Sequence, residues 1–135
     1  MLNQSSFTIL NFGHPLTSDQ TTDIEQLAGQ KIHNIINLNT RLDLDADIYA
    51  QVESLLDAVS RDFNFERDPY IVNPPGLSFI AAVILACLHG HSGYFPPILR
   101  IQGKPPHHHH GPYSVYGIME LQAFHDQSRH QRKHK

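Results

Sequence analysis

Apolar runs alternate with amphipathic stretches along this chain, and their periods separate strands from helices. Residues 7–12 are apolar enough for a buried strand, and Gly13, His14 and Pro15 break the run before a helix begins. Thr17, with Gln20 three residues on, has the form of a capping box, and Gly29 closes a helix that contains Ile24, Leu27 and Ala28. A second apolar strand covers 32–38, and an acidic loop over 42–47 follows it. The most regular helical pattern comes next, with Ile48, Val52, Leu55, Leu56 and Val59 along one face. Tyr70, Ile71 and Val72 form a short third strand. Residues 77–88 are apolar nearly all round, which predicts a helix buried on most sides, at the centre of a domain or in a dimer interface. Gly90 and Gly93 are expected to end it. Strands are predicted over 98–101 and 113–119, a proline-rich loop over 105–112, and a short helix over 120–125.

Strands that alternate with helices imply an α/β domain with a mostly parallel sheet and helices on both faces. Such sheets place ligands at the carboxyl ends of their strands. The turns to inspect are therefore 11–16, 39–41 and 73–78.

A length of 135 residues with 40% hydrophobic content suits one globular domain, expected over 1–127, with a basic frayed tail over 128–135. The net charge of −3 leaves no basic face for duplex nucleic acid. The single cysteine, Cys87, permits no intrachain disulfide, fits a reducing compartment and reads as a small core filler. Neither a signal peptide nor a membrane-spanning run is seen, so a cytoplasmic location is expected.

The turn Asn73-Pro74-Pro75-Gly76-Leu77-Ser78 admits two readings. Prolines that restrict the chain, a glycine that lets a ligand near the backbone, and free N–H groups at a helix start suit a phosphate. Equally, Asn73 caps the helix and a proline takes its first position. Asn11, Phe12, Gly13 and His14 stand at the matching end of the first strand, where His14 suits proton transfer or phosphate binding, or merely satisfies turn backbone groups with Asn11.

Metal chemistry is poorly supported. The four consecutive histidines 107–110 do not converge as ligands, and His89 and His91 read as helix-end caps. Asp43, Asp45 and Asp47 read as helix-capping residues rather than as a magnesium site. There is no HExxH, no cysteine pair, no Walker or dinucleotide fingerprint and no nucleophile elbow, so no metal or cofactor is expected.

Five stretches together carry a resemblance: LNFGHPLT (10–17), VNPPGLSFIAA (72–82), LHG (88–90), GYFP (93–96) and LQA (121–123). They are similar to a small ancillary family encoded with type III CRISPR systems, the fifteenth Csx family. The resemblance implies a Rossmann-like domain, related to the CARF sensory domains of CRISPR effectors. It also implies a homodimer that binds cyclic oligoadenylate, with the four-adenosine ring as the expected ligand, and so damps the signal. Damping by sequestration makes the protein a sponge; damping by ring cleavage makes it a metal-independent ring nuclease. Asn11, Gly13, His14, Asn73, Pro74, Pro75, Gly76 and Ser78 carry the matching motifs, with His14 and Ser78 as the candidates to assist cleavage. Phe12 or Tyr94 suits stacking on adenine, and Arg41 or Arg100 suits a phosphate. A third reading, outside the resemblance, is an assembly or adaptor domain in which the apolar helix serves self-association alone.

Overall fold

In the computed structural model, which describes residues 6–38, 40–103 and 113–133, the first strand β1 (Ser6–Asn11) is an interior strand of the sheet. Every residue from Phe7 to Asn11 is buried, as a strand covered on both faces requires. The capping box closes as the sequence predicts. Thr17 Oγ1 accepts from the Gln20 N–H, Gln20 Oε1 accepts from the Thr17 N–H, and α1 (Ser18–Ala28) ends on Gly29 in the left-handed conformation.

β2 (Lys31–Asn37) pairs with β1 in parallel and forms one edge of the sheet, where Lys31, His33 and Asn34 are exposed. Asp47 caps α2 (Ile48–Ser60) by accepting from the Ala50 N–H, which matches the capping reading of the acidic loop. β3 (Tyr70–Asn73) is buried throughout and lies parallel to β1 on its other side. α3 (Ser78–Ser92), β4 (Ile98–Gly103), β5 (Tyr113–Met119) and α4 (Leu121–Lys133) follow. The sheet order is β2-β1-β3-β4-β5, parallel except for the antiparallel β5. The fold is thus a Rossmann-like α/β architecture with a mostly parallel sheet.

Helices cover both faces of this sheet. On one, α2 and α3 pack Val52, Leu56, Ile80, Ile84 and Leu88 onto Leu10, Phe12 and Val72. Phe63, Phe65 and Tyr70 extend that core edge to face, with ring centroids 5.4 to 6.0 Å apart. On the other, Ile24 of α1 packs with Phe7, Ile9, Ile71, Leu99 and Val115. No helix among the described residues is long and apolar enough to cross a membrane.

Two helices, α3 and α4, depart from the sequence reading in three respects. First, α3 runs four residues beyond its expected end, through Gly90 to Ser92, and closes on Gly93 at φ 83°. Its burial is also one-sided: Ile80, Ile84, Cys87, Leu88 and Ser92 are buried, whereas Phe79, Ala82, Ala86 and Gly90 are exposed along the opposite face. Secondly, its N-cap is Leu77, which makes no side-chain cap bond, because Pro74, Pro75 and Gly76 separate Asn73 from the helix. Asn73 therefore is not the cap, and no proline holds the first helical position. Thirdly, α4 extends from Leu121 to Lys133, so residues 128–133 continue a helix instead of fraying. His89 and His91 do lie in the last turn of α3, and the His91 ring nitrogen also meets Glu53 Oε1 of α2 at 2.8 Å.

Candidate functional site

With strand order 2-1-3-4-5, β2 and β3 lie on opposite sides of β1, so the topological switch point falls at the carboxyl ends of β1 and β3. Asn11 stands there in register with Asn37 on β2 and with Asn73 on β3. The three side chains form a ladder across the strands. Asn73 Nδ2 donates to Asn11 Oδ1 at 2.8 Å, and Asn11 Nδ2 donates to Asn37 Oδ1 at 2.8 Å.

The remaining capacity of Asn11 goes to its own turn. Its Oδ1 also accepts from the Gly13 N–H at 3.0 Å, and its Nδ2 also donates to the His14 carbonyl at 3.0 Å. A primary amide offers two donors and an acceptor with two lone pairs, so Asn11 is saturated. At 1% exposure it has nothing left to present to a ligand. Its part in the site is to hold the turn that carries Gly13 and His14.

Gly13 is required by proximity rather than by backbone angle. A Cβ there would lie 2.8 Å from Asn73 Nδ2 and 3.1 Å from the Pro74 carbonyl oxygen, so the turns after β1 and β3 touch at this point. Thr40, in the loop after β2, donates its hydroxyl to the Phe12 carbonyl at 3.1 Å. The three loops are thereby locked to one another. Asn39, within the second of the expected ligand turns, lies outside the described residues, as do the four histidines 107–110.

Above this floor lies a cleft of about 850 Å³, in the upper part of the range for small-molecule sites. It brings together Phe12, Gly13, His14, Arg41, Asn73, Pro74 and Gly76 from the sequence-predicted set. Pro75, Leu77 and Ser78 do not line it; Leu77 and Ser78 are exposed at the start of α3. Phe12 lines it but is only 1% exposed, because its ring belongs to the core under α2 and α3. Tyr94 is likewise no lining residue, since it packs against that core. Burial raises the pKa of the Tyr94 phenol.

The sequence reading missed Thr17, Gln20, Ile101 and Tyr113, which form a wall from α1, β4 and β5. The capping-box pattern marked Thr17 and Gln20 as local helix residues. Nothing in that pattern says that a distant strand comes to rest beside them.

The charge on the cleft is one-signed. Among its described lining residues, Arg41 and His14 bring potential positive charge and no aspartate or glutamate occurs, in a chain of net charge −3. Asn73 and Gly76 border the start of α3, whose first turn has no side-chain cap. A helix start favours an anion through its N–H groups and its dipole. Among the described residues no three His, Cys, Asp or Glu side chains form a set fit for a metal ion. Cys87 lies away from the cleft in the core, where burial and the neighbouring Glu53 carboxylate push its thiol up to about 11.

Comparison of the chain with protein-family models, curated proteins and solved structures returns no match.

Proposed function

We propose that this protein binds cyclic oligoadenylate, cyclic tetra-adenylate foremost, across a homodimer and lowers the free concentration of this cytoplasmic messenger by sequestration in type III CRISPR antiviral signalling. One observation carries the reading: a cleft whose described lining holds Arg41 and His14 and no aspartate or glutamate lies at the switch point of a Rossmann-like sheet, beside a helix start without a side-chain cap. That combination suits a phosphate-bearing ligand. Part of the cleft wall, from residues 12–17 and from Asn73, Pro74 and Gly76, falls within the two longest stretches that carry the family resemblance.

The exposed face of α3 supports the second subunit. Phe79 is 51% exposed and leads into a line of Ala82, Ala86 and Gly90 that runs away from the cleft. A copy of the chain docked there about a twofold axis would bring a second cleft near the first. A ring with repeated phosphates matches such symmetry.

Sequestration ranks above cleavage because the cleft collects one candidate acid–base side chain, not two. His14 lines it and Ser78 does not. The ring-nuclease reading keeps His14 as the group that takes a proton from a ribose 2′-hydroxyl. That oxygen then attacks the adjacent phosphorus, leaves a 2′,3′-cyclic phosphate, and expels the 5′-oxygen, which takes up a proton.

Labelled cyclic tetra-adenylate tests all three readings when retention is followed by gel shift and ring integrity by chromatography under single-turnover conditions. Retention of the intact ring is expected. Prompt linearisation would replace the sponge with a ring nuclease, and no retention of any ring size would leave an assembly domain.

A further inference from the structure

We infer that Tyr113 is the residue on which a nucleotide base stacks in the cleft, and that Gln20 is the residue that positions it; the inference rests on the proposed nucleotide reading of this site. Among the described residues Phe12 and Tyr113 bring aromatic rings to the cleft lining, and they differ sharply in what they can offer. Phe12 is 1% exposed, with its ring in the core, whereas Tyr113 is 58% exposed. Tyr113 is therefore the aromatic surface available to a ligand there. A large ring left in water on a cleft wall gains by covering a planar partner, and base–aromatic stacking is a sequence-tolerant source of affinity.

Exposure alone would leave the ring poorly placed, but the backbone beneath it is pinned. Tyr113 pairs with Gly103 across β4 and β5, and its carbonyl accepts from Gln20 Nε2 at 3.1 Å. The Gln20 side chain is buried, and its Oε1 accepts from the Thr17 N–H in the capping box of α1. One carboxamide thus spans from the start of α1 to the first residue of β5, and both ends of that span line the cleft. With the Arg41 guanidinium on the same cleft, the site has a cationic part for phosphate and an aromatic part for the base.

The chain contains no tryptophan and five tyrosines, so its ultraviolet emission reports on tyrosine and serves as the readout. Full-length protein is titrated with cyclic tetra-adenylate, with affinity followed by calorimetry and quenching by fluorescence. Tyr113→Phe is expected to bind within about threefold of wild type with a smaller quench, because the ring remains and the reporting phenol is gone. Tyr113→Ala is expected to bind about five- to a hundredfold more weakly, the range for loss of one stacked base.

Gln20→Glu separates positioning from folding. A glutamate preserves the capping box but sets its second oxygen against the Tyr113 carbonyl, so the melting temperature should fall while circular dichroism at the assay temperature stays that of the folded protein. It removes the donor to the Tyr113 carbonyl, so affinity and quench amplitude should both fall. Wild-type binding with Tyr113→Ala unaffected would overturn the stacking role and leave the proposed function standing. Failure of the wild-type protein to bind any ring would overturn both. Weakened binding by Tyr113→Ala with Gln20→Glu unchanged in affinity and quench would overturn the positioning role.

Discussion

Removal of the Asn11 side chain tests the asparagine ladder most directly. Asn11→Ala deletes four hydrogen bonds at once: those with Asn73 Nδ2, the Gly13 N–H, the His14 carbonyl and Asn37 Oδ1. The partners differ in what replaces the lost bond. Asn37 and His14 are exposed, so water substitutes at a net loss of about 0.5 kcal/mol each. Asn73 is 7% exposed and Gly13 packs directly against it, so each is left with an unmet donor at about 1–2 kcal/mol.

The total is about 3–5 kcal/mol, a large share of the roughly 5–15 kcal/mol that holds a domain together. Urea denaturation should show a lower midpoint with an unchanged slope, and the melting temperature should fall by roughly 10–20 °C. A double-mutant cycle isolates the ladder itself. Asn73→Ala alone loses its bond to Asn11, and the double variant should be less destabilised than the sum of the two by about 1 kcal/mol. If Asn11→Ala melts within about 2 °C of wild type, or if the cycle shows no coupling, then the ladder does not hold the turns and Asn11 is free for a ligand after all.

The other predictions concern the turn glycines, the α3 face and the buried thiol. Gly13→Ala drives a methyl group into Asn73 and the Pro74 carbonyl and should destabilise by about 1–3 kcal/mol in thermal melts. Gly76→Ala meets nothing within 4 Å, so stability should be unchanged or raised by up to about 1 kcal/mol, while ring binding should weaken about tenfold where ligand meets the backbone. Unchanged binding by Gly76→Ala would move the phosphate elsewhere. Ala86→Arg, on the exposed face of α3, should convert the proposed dimer to monomer in light scattering without a change in circular dichroism; a dimer that persists would place the interface on another surface, and a monomeric wild type would overturn the dimer itself. Cys87 should alkylate at pH 8 about a hundredfold more slowly than an unperturbed thiol, since its pKa rises from 9.0 to about 11. The unfolded chain loses that proton first. Stability should therefore fall as pH rises from about 9 to about 11, and the loss should be smaller in Cys87→Ala.

Local signals in the sequence translated well into structure. The Thr17–Gln20 box and Gly29 fix both ends of α1 because each acts over three or four residues. Gly90 shows where such signals mislead: a glycine can end a helix or merely sit within one, and only Gly93 takes the left-handed angle. α4 was underestimated for a different reason. From Ala123 to Arg132 it is exposed, so no burial period marks it, and its stretch of glutamine, arginine and histidine gives the reader propensity without pattern. The site divides in the same way. The turns after β1 and β3 were legible because α/β topology places ligands at strand ends, but Tyr113 reaches the cleft through a hydrogen bond to a residue 93 positions away. No local pattern contains such a contact.

The saturation of Asn11 also changes what the conspicuous polar residues are for. A carboxamide both donates and accepts, which lets three of them link across three strands, whereas an aspartate would set acceptor against acceptor and a serine would fall short of its neighbours. The ladder spans 26 residues in one direction and 62 in the other, so the floor of the cleft is fixed by the sheet and not by the loops above it. A floor whose hydrogen bonds are already made needs little rearrangement on binding, and that rigidity favours affinity by sparing the entropy of ordering a loop. Under the proposed function, discrimination falls to residues that line the cleft above this floor, among them Gly76, His14, Arg41 and Tyr113. A rigid floor above which the described residues place His14 but not Ser78 suits holding a ligand better than transforming it, and this is the ground on which the proposal ranks sequestration ahead of cleavage.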